Sequence, residues 1–127
     1  MTQTHSVADT TIDKHTDGLV GDWLSLHEVA TLLGIDPKRA KQLIRDHKLL
    51  AVHRPDGVGV PAAFVREGQL LKGLSGTLTV LADAGFDDVA ALRWMFTADD
   101  TLPGTPVQAL AENRGTEVRR RAQALAI

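Results

Sequence analysis

Apolar positions recur at helical spacing soon after residue 20. Leu26, Val29, Ala30, Leu32 and Leu33 form one stripe. Ser25 and Glu28 stand ahead of it with the S-x-x-E spacing of a capping box, in which each side chain accepts the other's orphan backbone N–H. Gly34 tolerates positive φ and ends the helix, with Ile35 filling the corner. Asp36 and Pro37 then supply an N-cap and a first helical residue. The second helix is expected to reach about Lys48. With about 100° per residue, Ala40, Leu43, Ile44 and His47 gather on one side of it, and Lys38, Lys41, Gln42 and Arg45 on the other.

The pattern then changes period. Ala51 to Arg54 reads as a strand, Pro55-Asp56-Gly57 as a turn, and Val58 to Phe64 as a returning strand that Pro61 confines to an edge. Helical spacing resumes afterwards. One segment opens at Ser75 or Thr77 and closes at Gly85. Asp87 caps another that carries Val89, Leu92, Arg93, Trp94 and Phe96. Asp99 to Pro106 reads as a loop. Thr105-Pro106 opens a helix to about Asn113, and Thr116 to Ile127 forms a last helix with Arg119, Arg120 and Arg121. The expected fold is mainly α: a winged helix-turn-helix with a short two-stranded β-hairpin wing and a helical C-terminal half. Residues 1–20 are rich in Thr and Asp and poor in large apolar groups, so they read as a disordered acidic tail ahead of a single domain at 21–127.

Composition adds limits. The 127 residues hold 43% hydrophobic side chains and no cysteine, which excludes disulfides and thiolate metal sites. No apolar run approaches the roughly 20 residues of a membrane span, and the start lacks the basic-then-apolar pattern of a signal peptide, so a cytoplasmic protein is expected. The net charge of −2 hides a segregation. Residues 1–22 carry −3, residues 36–54 carry +4 and residues 83–100 carry −4.

The positive charge therefore sits on the second helix of a helix pair joined by a tight glycine turn. The major groove admits one helix, whose early residues approach base edges while its amino end faces a phosphate. Double-stranded DNA is the expected partner. Lys38, Arg39, Lys41, Gln42 and Arg45 are the expected contacts on the helix, with Gln42 suited to adenine, and His53 and Arg54 the expected contacts on the wing at 51–64. The tail threonines Thr10, Thr11 and Thr16 would be open to a Ser/Thr kinase, although a merely solubilising tail explains the same composition. The C-terminal helices offer a surface for a homodimer.

LSLHEVATLLGIDPKRAKQLIRDHKLLAVHRPDG resembles the winged helix-turn-helix of excisionase-like and MerR-like proteins, and the match extends over residues 24–65. Residues 23–126, including LKGLSGTLTVLADAGFDDVAALRWMF and TEVRRRAQALA, are similar to a group of small actinobacterial winged-helix DNA-binding proteins. The resemblance implies a DNA-binding transcriptional regulator with a helical C-terminal half.

A weaker resemblance lies in LRWMFTADDTLPGTPVQAL, where Trp94, Leu102, Gly104 and Pro106 are similar to the partner-binding region of some antitoxins. It implies a protein-interaction module as the rival function. A core tryptophan beside a tight loop explains the same residues. Enzyme signals are weak. The five histidines lie at unrelated spacings, His27-Glu28 lacks the second histidine of HExxH, and no phosphate-binding glycine motif is present. Neither catalysis, a cofactor nor a metal is expected.

Overall fold

The computed structural model describes residues 11–102 and 104–125. The chain opens with α1 (Lys14–Val20), β1 (Trp23–Leu24), α2 (Leu26–Leu33) and α3 (Pro37–Arg45). The hairpin β2 (Val52–Arg54) and β3 (Gly57–Pro61) follows, then a 3-10 turn at Ala62–Phe64 and a second small hairpin, β4 (Val65–Arg66) with β5 (Gln69–Leu70). Four helices complete the fold: α4 (Leu74–Asp83), α5 (Asp88–Met95), α6 (Pro106–Ala111) and α7 (Gly115–Ala124). It is a mainly α winged helix-turn-helix with a helical C-terminal half.

The helix-turn-helix forms for the reasons its sequence suggests. Ser25 Oγ accepts the Glu28 N–H at 3.1 Å while Glu28 Oε1 accepts the Ser25 N–H at 2.8 Å. Gly34 adopts φ +68°, and the Ile35 N–H returns to the Ala30 carbonyl at 2.9 Å. This closes α2 in a Schellman turn. Asp36 caps α3 by accepting the Lys38 N–H at 2.8 Å.

α3 is shorter than expected. It ends at Arg45, and His47 takes a left-handed conformation with φ +59° in another Schellman turn, in which Lys48 N–H meets the Leu43 carbonyl at 2.9 Å. His47 is consequently exposed and does not join Ala40, Leu43 and Ile44 in the core. The wing also differs. β3 is central in a three-stranded antiparallel sheet of order β1-β3-β2, with Trp23 opposite Pro61. Pro61 fits because it is the last residue of β3, after which the backbone turns into the 3-10 segment. In the C-terminal half, α4 starts at Leu74 behind Gly73 with no side-chain cap, so neither Ser75 nor Thr77 opens it. α7 starts at Gly115.

The segment expected to be a disordered tail needs the largest correction. Residues 1–10 lie outside the described residues, but 11–20 are folded onto the domain. Asp13 caps α1 by accepting the Thr16 N–H, and Ile12 and Thr16 are buried at 8% and 0% exposure. Ile12 N–H donates to the His53 carbonyl at 3.0 Å, beside β2. The tail was too poor in apolar groups to fold alone. It folds because Ile12, Leu19 and Val20 reach the core of the domain.

That core is continuous. It runs from Ile12 through Val29, Leu43, Val52 and Phe64 to Leu92, Val107, Val118 and Ala122. Phe64 of the wing segment meets Phe96 at the end of α5 with ring centroids 5.9 Å apart and a 40° tilt. Such an aromatic pair contributes about 0.5–1.5 kcal/mol beyond its buried area and joins the two halves.

Candidate nucleic-acid interface

α3 presents its charge because its other face is used up. Ala40, Leu43 and Ile44 are buried, which turns Lys38, Arg39, Lys41 and Arg45 to solvent. Lys48, just beyond the helix, is exposed as well. None of these five cations makes an ion pair with an acid among the described residues.

Gln42, expected to be available to adenine, is not free on this face. Its Oε1 accepts from Arg45 Nη2 at 2.7 Å, and its Nε2 donates to Asp46 Oδ1 at 2.9 Å. Gln42 thus links Arg45 indirectly to an acid, and both ends of its amide are engaged. A bidentate contact to adenine would require that chain to open. The amino end of α3 is also less open to phosphate than expected. The Asp36 carboxylate already takes the Lys38 N–H and places a negative charge there.

The wing residues part company with the helix. His53 lies half-buried in β2 opposite Val58, and its carbonyl is held by Ile12. Arg54, expected to reach DNA, is turned against α1. Its Nε and Nη2 donate to Asp17 Oδ2 and Oδ1 at 2.9 and 3.2 Å. The guanidinium carbon lies 4.7 Å from the centroid of the Trp23 ring. Gly59 makes room for this arrangement, since a Cβ there would lie 2.8 Å from Arg54 Cδ and 3.1 Å from Trp23 Cε3.

α1 is fastened on its other side to α5. Arg93 Nε donates to Thr16 Oγ1 and its Nη2 to Asp13 Oδ1, both at 3.3 Å. Hydrogen bonds from Thr16, chiefly the side chain and then the backbone amide, together with Arg93, hold the Asp13 carboxyl at about 2 despite its desolvation. None of Asp13, Asp17, Trp23 and Arg93 was expected at this site. A signal was present: Thr16, Leu19 and Val20 follow helical spacing behind a capping aspartate, with Ile12 just ahead of it.

The remaining candidates fall elsewhere. Thr11 is exposed, Thr16 is buried and so closed to a kinase in the folded chain, and Thr10 lies outside the described residues. Trp94 is half-buried against the core, as a packing residue would be. Asp99 accepts from the Thr101 hydroxyl at 2.6 Å and amide at 2.8 Å, which lowers its pKa and marks a turn. Arg119, Arg120 and Arg121 are all exposed along α7. Among the described residues no helix is long and apolar enough to cross a membrane.

Comparison with known proteins gives the same division of the chain. Residues 11–65 match the family described as DNA-binding protein Rv2175c, wHTH domain, and residues 71–126 match the Rv2175c C-terminal domain of unknown function. The chain is 40% identical over 114 residues to DNA-binding protein Rv2175c of Mycobacterium tuberculosis (strain ATCC 25618 / H37Rv), covering 80% of this chain and 78% of that protein. The NMR structure of Rv2175c superposes with a TM-score of 0.78 at 35% identity, covering 94% of this chain and 88% of the other. With α1 to β3 arranged as a winged helix-turn-helix on one continuous core with α4 to α7, the chain belongs to the Rv2175c family of winged helix-turn-helix proteins.

Proposed function

We propose that this chain is a sequence-specific DNA-binding protein that regulates transcription in the cytoplasm, with α3 as its reading helix. The observation that carries this is the exposed set Lys38, Arg39, Lys41, Arg45 and Lys48 on the second helix of the motif, with no acid ion-paired to any of them among the described residues. Burial of Ala40, Leu43 and Ile44 fixes which way those cations point. The 40% identical relative is itself named a DNA-binding protein.

Fluorescence anisotropy on a pool of duplexes at two salt concentrations tests it. The wild type is expected to bind more weakly as salt rises. Lys41→Ala/Arg45→Ala is expected to lose affinity and to flatten the log–log salt slope by about 0.9 for each phosphate contact removed. A folded wild type that fails to bind at low salt would end this reading.

Two partners belong to the same proposal. A Ser/Thr kinase would act at Thr11 or before it, supported by the exposure of Thr11, and phosphorylation mapping in the native host checks this. A homodimer would form through the C-terminal helices, supported by Leu125, a large apolar side chain 42% exposed at the end of α7. Sedimentation of the free protein and of its DNA complex reads the stoichiometry.

A further inference from the structure

Arg54 is the only Lys or Arg between residues 51 and 64, so it is the only permanent positive charge the wing can offer a duplex. In the free chain that charge is already taken. Asp17 receives two N–H bonds from its guanidinium, at 2.9 and 3.2 Å, and Trp23 lies beneath it at 4.7 Å. Only 20% of the Arg54 side chain is exposed. The two oxygens of a carboxylate and two oxygens of a DNA phosphate make the same forked pair with a guanidinium. One can therefore replace the other with little change at Arg54.

The helix that carries Asp17 is built to be held without being fixed. It has seven residues, too few to be stable alone. Polar contacts fasten it at two points, to the wing through Asp17 and to α5 through Asp13 and Thr16. A groove of about 310 Å³ separates α1 from the wing turn, lined by Ile12, Asp13, Lys14, Asp17, Arg54 and Pro55 among others. This groove lies beside the fifth of the Arg54 side chain that stays open to solvent.

We propose that α1 is an internal competitor for the wing. Asp17 holds Arg54 in the free protein, and a DNA phosphate takes the place of Asp17 when the wing engages the duplex. Exchange at Arg54 releases one of the two polar side-chain fastenings of α1, leaving its apolar packing and the Arg93 contacts in place. The inference rests on the DNA-binding reading above.

Asp17→Asn in the full chain tests it, with anisotropy read over a range of salt. Freed from its ion pair, Arg54 is expected to bind DNA about 2- to 5-fold more tightly, the range a partly exposed ion pair commands. The salt slope is expected to stay that of the wild type, because Arg54 meets the same phosphate in both complexes, and to flatten by about 0.9 in Arg54→Ala. Asp22→Asn removes the same charge without touching Arg54 and is expected to give no comparable gain in affinity. In an Arg54→Ala background, Asp17→Asn is expected to change nothing. A wild-type affinity in Asp17→Asn, or the same gain without Arg54, overturns the proposal.

Loss of Asp17 could also loosen α1, so a second measurement keeps Asp17 in place. In Trp94→Phe the fluorescence reports Trp23 alone, and saturating DNA is expected to shift its emission as a phosphate replaces the Asp17 carboxylate beside the Arg54–Trp23 stack. Unchanged emission overturns the proposal. A wild type that shows no salt-sensitive binding overturns the DNA-binding reading as well, which separates the two failures.

Discussion

His47 shows how a single position can be read correctly by period and wrongly by fate. Helical spacing puts it with Ala40, Leu43 and Ile44, but the helix stops two residues earlier and His47 takes φ +59°. A side chain in that region costs about 1–2 kcal/mol relative to glycine's free access, part of which the extra unfolded-state entropy of glycine offsets. His47→Gly is therefore expected to raise stability by about 0.5–1 kcal/mol, seen as a higher urea midpoint with an unchanged m-value. Gly59 is the opposite case. Its backbone is ordinary for a strand, and what it supplies is space for Arg54 and Trp23. Gly59→Ala is expected to cost about 1–3 kcal/mol through overpacking and to displace Arg54 from the ring, visible in the emission of Trp23.

At the scale of elements, legibility followed sequence distance. The caps at Ser25, Asp36, Asp87 and Thr105 and the glycine stop at Gly34 were readable because each partner lies within a few residues. α1 was not. Its fastenings cross 37 residues to Arg54 and about twice that to Arg93, at 77 and 80 residues. No local pattern announces a pairing across such a gap, and the composition of 1–20 pointed the other way. The same distance hid the pairing of Arg54, so the exposed cationic face of α3 was legible and the state of the wing arginine was not. Acid should test α1 directly. Asp13 is lowered to about 2 from an ordinary 3.8, so its contribution to α1 docking is complete above pH 4 and fades as pH falls toward 2. Protection factors along Lys14–Val20 are expected to fall across that window, and Asp13→Asn, which keeps a capping oxygen but no charge for Arg93, is expected to lose this pH dependence.

For the whole molecule, the family boundary near residue 65–71 is not a boundary in the core. Phe64, fully buried, packs across it on Phe96. Phe64→Ala is expected to cost about 3–5 kcal/mol. Calorimetry is expected to show one transition moved downward, with the calorimetric and van't Hoff enthalpies still equal. Two separated transitions would mean that the halves fold independently.

The bond from Ile12 N–H to the His53 carbonyl has a colloidal consequence. It covers a carbonyl on the outer side of β2 that would otherwise invite a strand from a neighbouring molecule. Sheet borders left bare in this way template intermolecular stacking. A chain trimmed to begin after residue 20 would keep α3 and lose that cover, along with the burial of Ile12. Such a fragment is expected to scatter light and precipitate on concentration while the full chain stays clear.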